Sequence, residues 1–191
     1  MKRRDAVYGA ILVLAIGGFA VSRFTAKDDG PKPEQPLTAA EQPYVTALGD
    51  HLASGGSPLP QLDLTPTQGR CAARHWVARM GPDELRDEQL DPAEVGKGRL
   101  TVNLDLADGK AMIGDLRRCH VDVDSKIRAG LRSSLAERGA DRKVQDCAAD
   151  GLTRSLIDKS LALVLIADGP RSDLTLQQQL TDVAASCSPG G

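Results

Sequence analysis

The sequence predicts an all-α protein with an N-terminal transmembrane helix, a proline-rich linker and two tandem three-helix repeats, each closed by a disulfide bond. Three observations predict this fold class. Aromatic residues make up only 3% of the chain, apolar residues recur at helical spacing, and the surroundings of the first two cysteines recur around the last two. A core built from Leu, Val, Ile and Ala favours packed helices over a sheet sandwich.

The first residues have the pattern of a membrane anchor. Residues 1–5 are basic, and residues 6–22 are uncharged and mostly apolar, which is at the short end of what spans a bilayer as a helix. Positive charge before the apolar run favours a cytoplasmic N-terminus. We therefore expect a signal anchor with everything after Arg23 outside the cytoplasm. The alternative is a signal peptide cleaved at the small residues Gly18 and Ala20, with a secreted product.

Residues 23–37 contain three prolines and a glycine among charged residues, which predicts a semi-extended linker. The folded part begins after it. The predicted organisation is a cytoplasmic start (1–5), a transmembrane anchor (6–22), a linker (23–37) and two helical repeats (38–121 and 122–191).

The repeat is visible when Cys71 is aligned with Cys147, because both begin a Cys-Ala-Ala tripeptide. The same offset pairs four further apolar residues: Trp76 with Leu152, Met80 with Leu156, Leu85 with Leu161, and Leu90 with Ile166. Thr65 and Asp141 stand six residues before the two cysteines and are helix-starting residue types. Each of these cysteines is thus predicted near the start of a capped helix.

The other two cysteines are predicted near the ends of helices. Asp105-Leu106 precedes Cys119 by the same interval at which Asp173-Leu174 precedes Cys187, and each Asp is a candidate N-cap. The loop DPAEVGKGRLTVN absorbs the difference in spacing between the copies. Residues 100–106 and 161–166 fit either a short strand or a buried helical turn, and we favour helix.

In each copy a further helix is predicted before the first cysteine. Both have an apolar residue at every fourth position and end at glycine, as expected of amphipathic helices with a C-terminal cap. Thr38 and Glu41 have the spacing of a capping box for the first helix, and Asp122 or Asp124 is expected to start the second. The two apolar stripes are Tyr44, Leu48 and Leu52, ending at Gly55, and Ile127, Leu131 and Leu135, ending at Gly139.

Four cysteines in an exported chain are most simply two disulfides. The repeat selects one connectivity of three, Cys71 with Cys119 and Cys147 with Cys187, because the start of one antiparallel helix lies beside the end of the next. The alternatives are weaker. There is no Cys-x-x-Cys redox pair, and only Cys119-His120 offers the close spacing typical of zinc knuckles.

No motif predicts catalysis, a cofactor or a resident metal. His51, His75 and His120 accompany no nucleophile elbow and no His-Glu-x-x-His. Gly96-Lys97-Gly98 is too short to cradle a phosphate, and Asp105, Asp108 and Gly109 lack the donor alternation of a calcium loop. The carboxylates of residues 83–88 fit a solvated helix edge.

The residues resemble a group of small exported or membrane-anchored helical proteins of actinobacteria with paired cysteines. The resemblance lies in Thr65-x-x-Gln68-x-x-Cys71-Ala-Ala, the segment Met80–Leu85, and the returning Leu116-x-x-Cys119. It covers both copies, although the second has Val144 where the first has Gln68. The resemblance implies the fold and the location, and no catalytic residue follows from it.

The expected function is therefore that of a non-enzymatic module tethered to the membrane by its N-terminal helix. We expect it to act in protein interaction or structure in the cell envelope, with an envelope protein as partner. The alternative is a carrier of lipid or another apolar ligand, with Trp76 and Met80 on the wall of its groove. The charge balance of 24 basic and 26 acidic residues does not predict nucleic-acid binding.

Overall fold

The computed structural model describes residues 37–55, 59, 62–88, 90–97, 104–166 and 173–187, and these residues form nine α-helices and no β-strand. They belong to two compact units, one ending at Val121 and the other beginning at Asp122. Over this range the all-helical prediction is confirmed. None of the described helices is long and apolar enough to cross a bilayer. The predicted anchor, residues 6–22, lies outside the described residues, as does the predicted linker up to residue 36.

The first unit is built around its second helix. α1 packs along α2, α5 also packs against α2, and α4 contacts α1. The only tryptophan, Trp76, is fully buried in this core together with Leu48, Leu52 and Met112. The helices of this unit are α1 (Glu41–Ala53), α2 (Pro66–Met80), α3 (Pro82–Asp87), α4 (Pro92–Val95) and α5 (Leu106–Arg118).

The second unit contains four described helices. α6 packs against α7 and α8, and α9 also packs against α7 and α8. Its buried hydrophobic side chains are all aliphatic, in keeping with the shortage of aromatic residues, and Ser160 is buried with them. The helices are α6 (Val123–Glu137), α7 (Arg142–Gly151), α8 (Arg154–Leu165) and α9 (Leu174–Ser186).

The predicted caps start the helices that carry the cysteines. Thr65 accepts a hydrogen bond from the backbone N–H of Gln68, and Asp105, Asp141 and Asp173 each accept from the N–H three residues later. Such caps stabilise a helix by about 1 kcal/mol each. α6 is capped in the same way by Asp122, which decides between the two predicted candidates.

The apolar stripes of α1 and α6 are buried as predicted, and both helices end before a glycine in the left-handed region. At the end of α6 the N–H of Gly139 donates to Ala136 O and the N–H of Ala140 donates to Leu135 O. This is a Schellman motif, and the φ of +78° at Gly139 is why glycine suits that position. Thr38 and Glu41 form the predicted reciprocal contacts before α1.

The number of helices differs from the three predicted for each copy. α2 runs through to Met80, whereas the aligned segment of the second unit breaks at Leu152 and restarts as α8. The reason is local, because the Thr153 side chain caps α8 by accepting from Leu156 N–H, while the aligned residue in the first unit is Val77, which has no side-chain oxygen. Asp91 likewise caps the one-turn helix α4 inside the predicted loop.

The ambiguous segment 161–166 is helical through Leu165. In the other ambiguous segment α5 begins at Leu106, and residues 98–103 lie outside the described range.

Candidate functional site

All four cysteines are paired, with one disulfide inside each unit. Cys71, in the second turn of α2, is bonded to Cys119, the residue that ends α5, with the two Cα atoms 5.7 Å apart. Cys147 on α7 is bonded to Cys187 after α9, with a Cα separation of 5.6 Å. No free cysteine remains. These are the pairs that the repeat predicts.

Three further contacts join α2 to the α5 segment beside the first disulfide. The side-chain Nε2 of Gln68 donates to the backbone oxygen of His120 over 2.9 Å. The indole Nε1 of Trp76 donates to Met112 O over 3.2 Å. The third is an ion pair between Arg79 and Asp115. The two helices are therefore linked at several positions along their length, and the disulfide is one of these links.

Asp115 is a buried carboxylate on α5 with an exposed fraction of 1%. Its Oδ2 lies 3.4 Å from Arg79 Nη2, and its Oδ1 lies 2.8 Å from Arg118 Nη1. Arg79 is mostly buried and Arg118 is largely exposed. A buried carboxylate needs such partners because removal from water penalises its charge. Asp115 thus links α5 to α2 by charge as well as by packing.

The two disulfides differ in their exposure to solvent. Cys119 has an exposed fraction of 3%, and Cys71 is partly covered. In the second unit Cys147 is exposed and Cys187 is partly exposed, with its Sγ 3.7 Å from the hydroxyl of Ser186. A thiol or phosphine in solution therefore reaches the second bond more easily than the first.

His75 lies beside the first disulfide. A ring nitrogen of His75 and the Sγ atoms of Cys71 and Cys119 all lie within 4.8 Å of one another. Cys71 and His75 are four residues apart on α2, so they share one helix face. Sequence spacing singles out His120, which follows Cys119 directly, whereas the fold places His75 beside the bond. The signal that would have found it is Cys-x-x-x-His within a helix.

The two predicted groove residues lie in the core of the first unit. Trp76 is fully buried, and Met80 has an exposed fraction of 3%. The indole N–H of Trp76 is already used by the carbonyl of Met112. In this conformation neither side chain offers its surface to an apolar ligand.

The remaining sequence candidates have structural roles. Asp105 and Asp108 form a reciprocal capping box at the start of α5, each accepting from the backbone N–H of the other. Partial burial, followed by the charge of Asp105, raises the pKa of Asp108. His120 adopts φ of +60° directly after Cys119, and its N–H donates to Arg117 O as part of the turn that ends α5.

Two surface candidates are also accounted for. Lys97 in the Gly96-Lys97-Gly98 segment pairs with Glu94 over 2.6 Å. The carboxylates Asp83, Glu84, Asp87 and Glu88 are all exposed, as expected of a solvated helix edge.

Comparison with known proteins found no family model, no curated protein and no solved structure that matches this chain.

Proposed function

We propose that this chain is a non-enzymatic helical module of the cell envelope. It is held at the membrane by residues 6–22 and presents its two helical units outside the cytoplasm to an envelope protein. The observation that carries the proposal is the pairing of all four cysteines within their own units. Stable disulfides are typical of proteins that leave the reducing cytosol.

The distribution of the disulfides supports a structural role for them. Each closes a long loop, of 48 residues in one unit and 40 in the other. In the chain-entropy model such a bond stabilises a domain by about 4 kcal/mol, which is a large share of the roughly 5 to 15 kcal/mol typical of domains. A small aliphatic core with its own covalent closure suits a module that must persist outside the cell without chaperones.

The location is tested first. Alkaline phosphatase, which folds only where disulfides form, would be fused after Gly191, and a matched fusion would lack residues 1–22. We expect activity from the full chain in the membrane fraction and none from the truncated chain. An inactive full-chain fusion that is nevertheless made in normal amounts would reject the proposal, as would free thiols at the four cysteines in protein taken from its host.

The partner is tested by photo-crosslinking in intact membranes. A photoreactive amino acid would be placed singly at exposed positions, such as Ala78 of α2 and Ala136 of α6. A specific partner should crosslink from neighbouring positions on one face and not from all exposed positions alike. Uniform or absent crosslinking would argue against an interaction module.

The carrier alternative is tested by native mass spectrometry of the same material. A carrier should retain a small apolar molecule, and a structural module should not. Because Trp76 and Met80 are buried, a ligand that contacts them requires the α2–α5 contact to open. A ligand-bound form should therefore show changed tryptophan fluorescence.

A further inference from the structure

We propose that the reduced first unit binds a zinc ion through Cys71, His75 and Cys119. This site would exist only when the first disulfide is open, so that metal binding and disulfide formation exclude each other.

The geometry of the three ligands carries the inference. Their candidate ligand atoms already lie within 4.8 Å of one another. A tetrahedral zinc ion with Zn–S distances of about 2.3 Å separates two sulfurs by about 3.8 Å, with its nitrogen ligand at a similar distance. Opening of the S–S bond lets the sulfurs move apart into that range, while His75 needs only a small adjustment.

The donor set also fits zinc. Thiolate and imidazole are the protein ligands that zinc prefers, and two Cys with one His leave a fourth position for water. Cys119 is buried and the other two side chains are partly covered, so the ion would sit in a half-buried position at the edge of the unit. In such a position the +2 charge of the zinc ion would be neutralised by the two thiolates.

The ligands stay close together without the sulfur bond. Gln68 ties the start of α2 to the residue after Cys119, and Trp76 and Arg79 tie the same helix to α5. None of these contacts involves a cysteine sulfur. The reduced unit is therefore arranged for binding before the metal arrives.

The second unit lacks the third ligand. The residue four positions after Cys147 is Gly151, where the first unit has His75. A Cβ at Gly151 would lie 2.7 Å from Val183 Cγ1, so this position is also closed to a larger side chain without local movement. The chain therefore contains two cysteine pairs that can be compared, one with a histidine nearby and one without.

Disulfide reduction and zinc binding are two successive steps. A dithiol transfers two electrons and two protons to the Cys71–Cys119 bond, which yields two thiols and converts the reductant into its own disulfide. Zinc then replaces one proton on each thiol, and the two protons pass to solvent. Neutral His75 coordinates through a ring nitrogen with no change in the net proton count. Loss of zinc returns one proton to each sulfur, and exchange with a small-molecule disulfide, which takes the two electrons and two protons and leaves as two thiols, restores the Cys71–Cys119 bond.

The test uses the full chain with Cys147→Ser and Cys187→Ser, which isolates the first pair. The protein is reduced with a phosphine, desalted without oxygen and titrated with Zn²⁺ alone against a chromogenic chelator. Co²⁺ is used as a second probe because thiolate-to-cobalt absorption reports sulfur ligation directly. We expect one metal per chain for the reduced protein and none for the oxidised protein.

Two matched variants decide the assignment. Addition of His75→Ala should weaken zinc binding by more than the roughly 10- to 100-fold that loss of an outer-shell partner costs. The Cys71→Ser/Cys119→Ser chain, which keeps only the Cys147 and Cys187 thiols, should be similarly weak. Equal affinity with and without His75, or equal binding by the oxidised protein, would overturn the proposal.

Circular dichroism covers the case in which reduction unfolds the chain. If reduction lowers the helical signal, zinc should restore it in the parent chain and not in the His75→Ala chain. Restoration to the same extent in the His75→Ala chain, or no binding by the reduced parent, would reject it.

Discussion

Gly69 of α2 lies directly against the backbone of Gly49 in α1, and a Cβ atom on Gly69 would come within 2.6 Å of the Gly49 carbonyl oxygen. The opposite contact is also tight, because a Cβ on Gly49 would lie 3.0 Å from the Cα of Arg70. Both residues are buried. This approach lets α1 pack closely along the helix that carries Cys71.

The first prediction concerns this helix contact. Gly69→Ala should destabilise the first unit by about 1 to 3 kcal/mol, because the new methyl group forces two backbones apart. Gly114→Ala in α5 is the matched control, since nothing lies within 4 Å of its added Cβ. The control should stabilise the unit by roughly 0.5 to 1 kcal/mol through helix propensity. Urea unfolding followed by Trp76 fluorescence reports on this unit, and equal effects of the two changes would contradict the argument.

The second prediction concerns the buried Asp115. Arg79→Ala should cost about 2 kcal/mol, because it leaves a buried carboxylate with one exposed partner and removes packing across α2 and α5. Arg118→Ala should cost less than about 1 kcal/mol, since that side chain is largely in solvent. The same fluorescence-detected unfolding measures both. A larger loss for Arg118→Ala would show that the exposed arginine is the main partner.

The third prediction is an order of reduction. Under limiting reductant the Cys147–Cys187 bond should open before Cys71–Cys119, by at least about tenfold in rate, because access to the sulfur controls exchange. Quenching by alkylation and peptide mapping would measure both rates. In urea that unfolds the chain the two rates should converge. A faster opening of the bond to buried Cys119 under native conditions would contradict the prediction.

The fourth prediction concerns pH and the cap of α9. Asp173 lies 2.6 Å from Lys159 Nζ, and this hydrogen-bonded pair, together with the backbone N–H of Leu176, lowers the pKa of Asp173 from its ordinary 3.8. A lowered carboxyl pKa stabilises the fold above the unfolded-state value. That contribution is lost as the pH falls through the folded-state value. It should therefore be present in full at pH 6 and reduced near pH 2.

Two substitutions separate the charge from the cap. Asp173→Asn keeps a cap oxygen and should destabilise the second unit by less than about 1 kcal/mol at pH 6, with a smaller loss near pH 2. Asp173→Ala removes both, so its loss should persist at low pH. Peptide-resolved hydrogen exchange of α9 measures the difference. An Asn variant whose loss is the same at both pH values would show that Lys159 contributes nothing.

Much of the helical framework follows from short-range chemistry. Thr65, Asp105, Asp141 and Asp173 start their helices because their side-chain oxygens satisfy the exposed N–H groups of the first turn, and that requirement can be read from a few residues. The disulfide pairing was also predictable, since only one of the three connectivities keeps each bond within its own copy. The break at Thr153 could have been predicted from the same capping rule and was not.

The candidate site was less predictable, because its members come from separate helices. Asp115 reads as one more polar residue on α5, and nothing near it in sequence indicates Arg79 as its partner. Trp76 fits the wall of a groove by sequence alone, and its burial in the core depends on α5 closing over it.

The amino-acid sequence by itself determined where the helices next to the cysteines begin and which cysteines correspond, because these depend on capping groups and on periodicity within a few turns. Only the tertiary structure decided that His75 lies beside one disulfide and that Cys119 is buried while Cys147 is exposed. It also decided that Asp115 forms ion pairs with two arginines. The physical reason is that burial and charge pairing depend on how α2 packs on α5 and how α7 packs on α9, and these contacts join residues far apart in the chain.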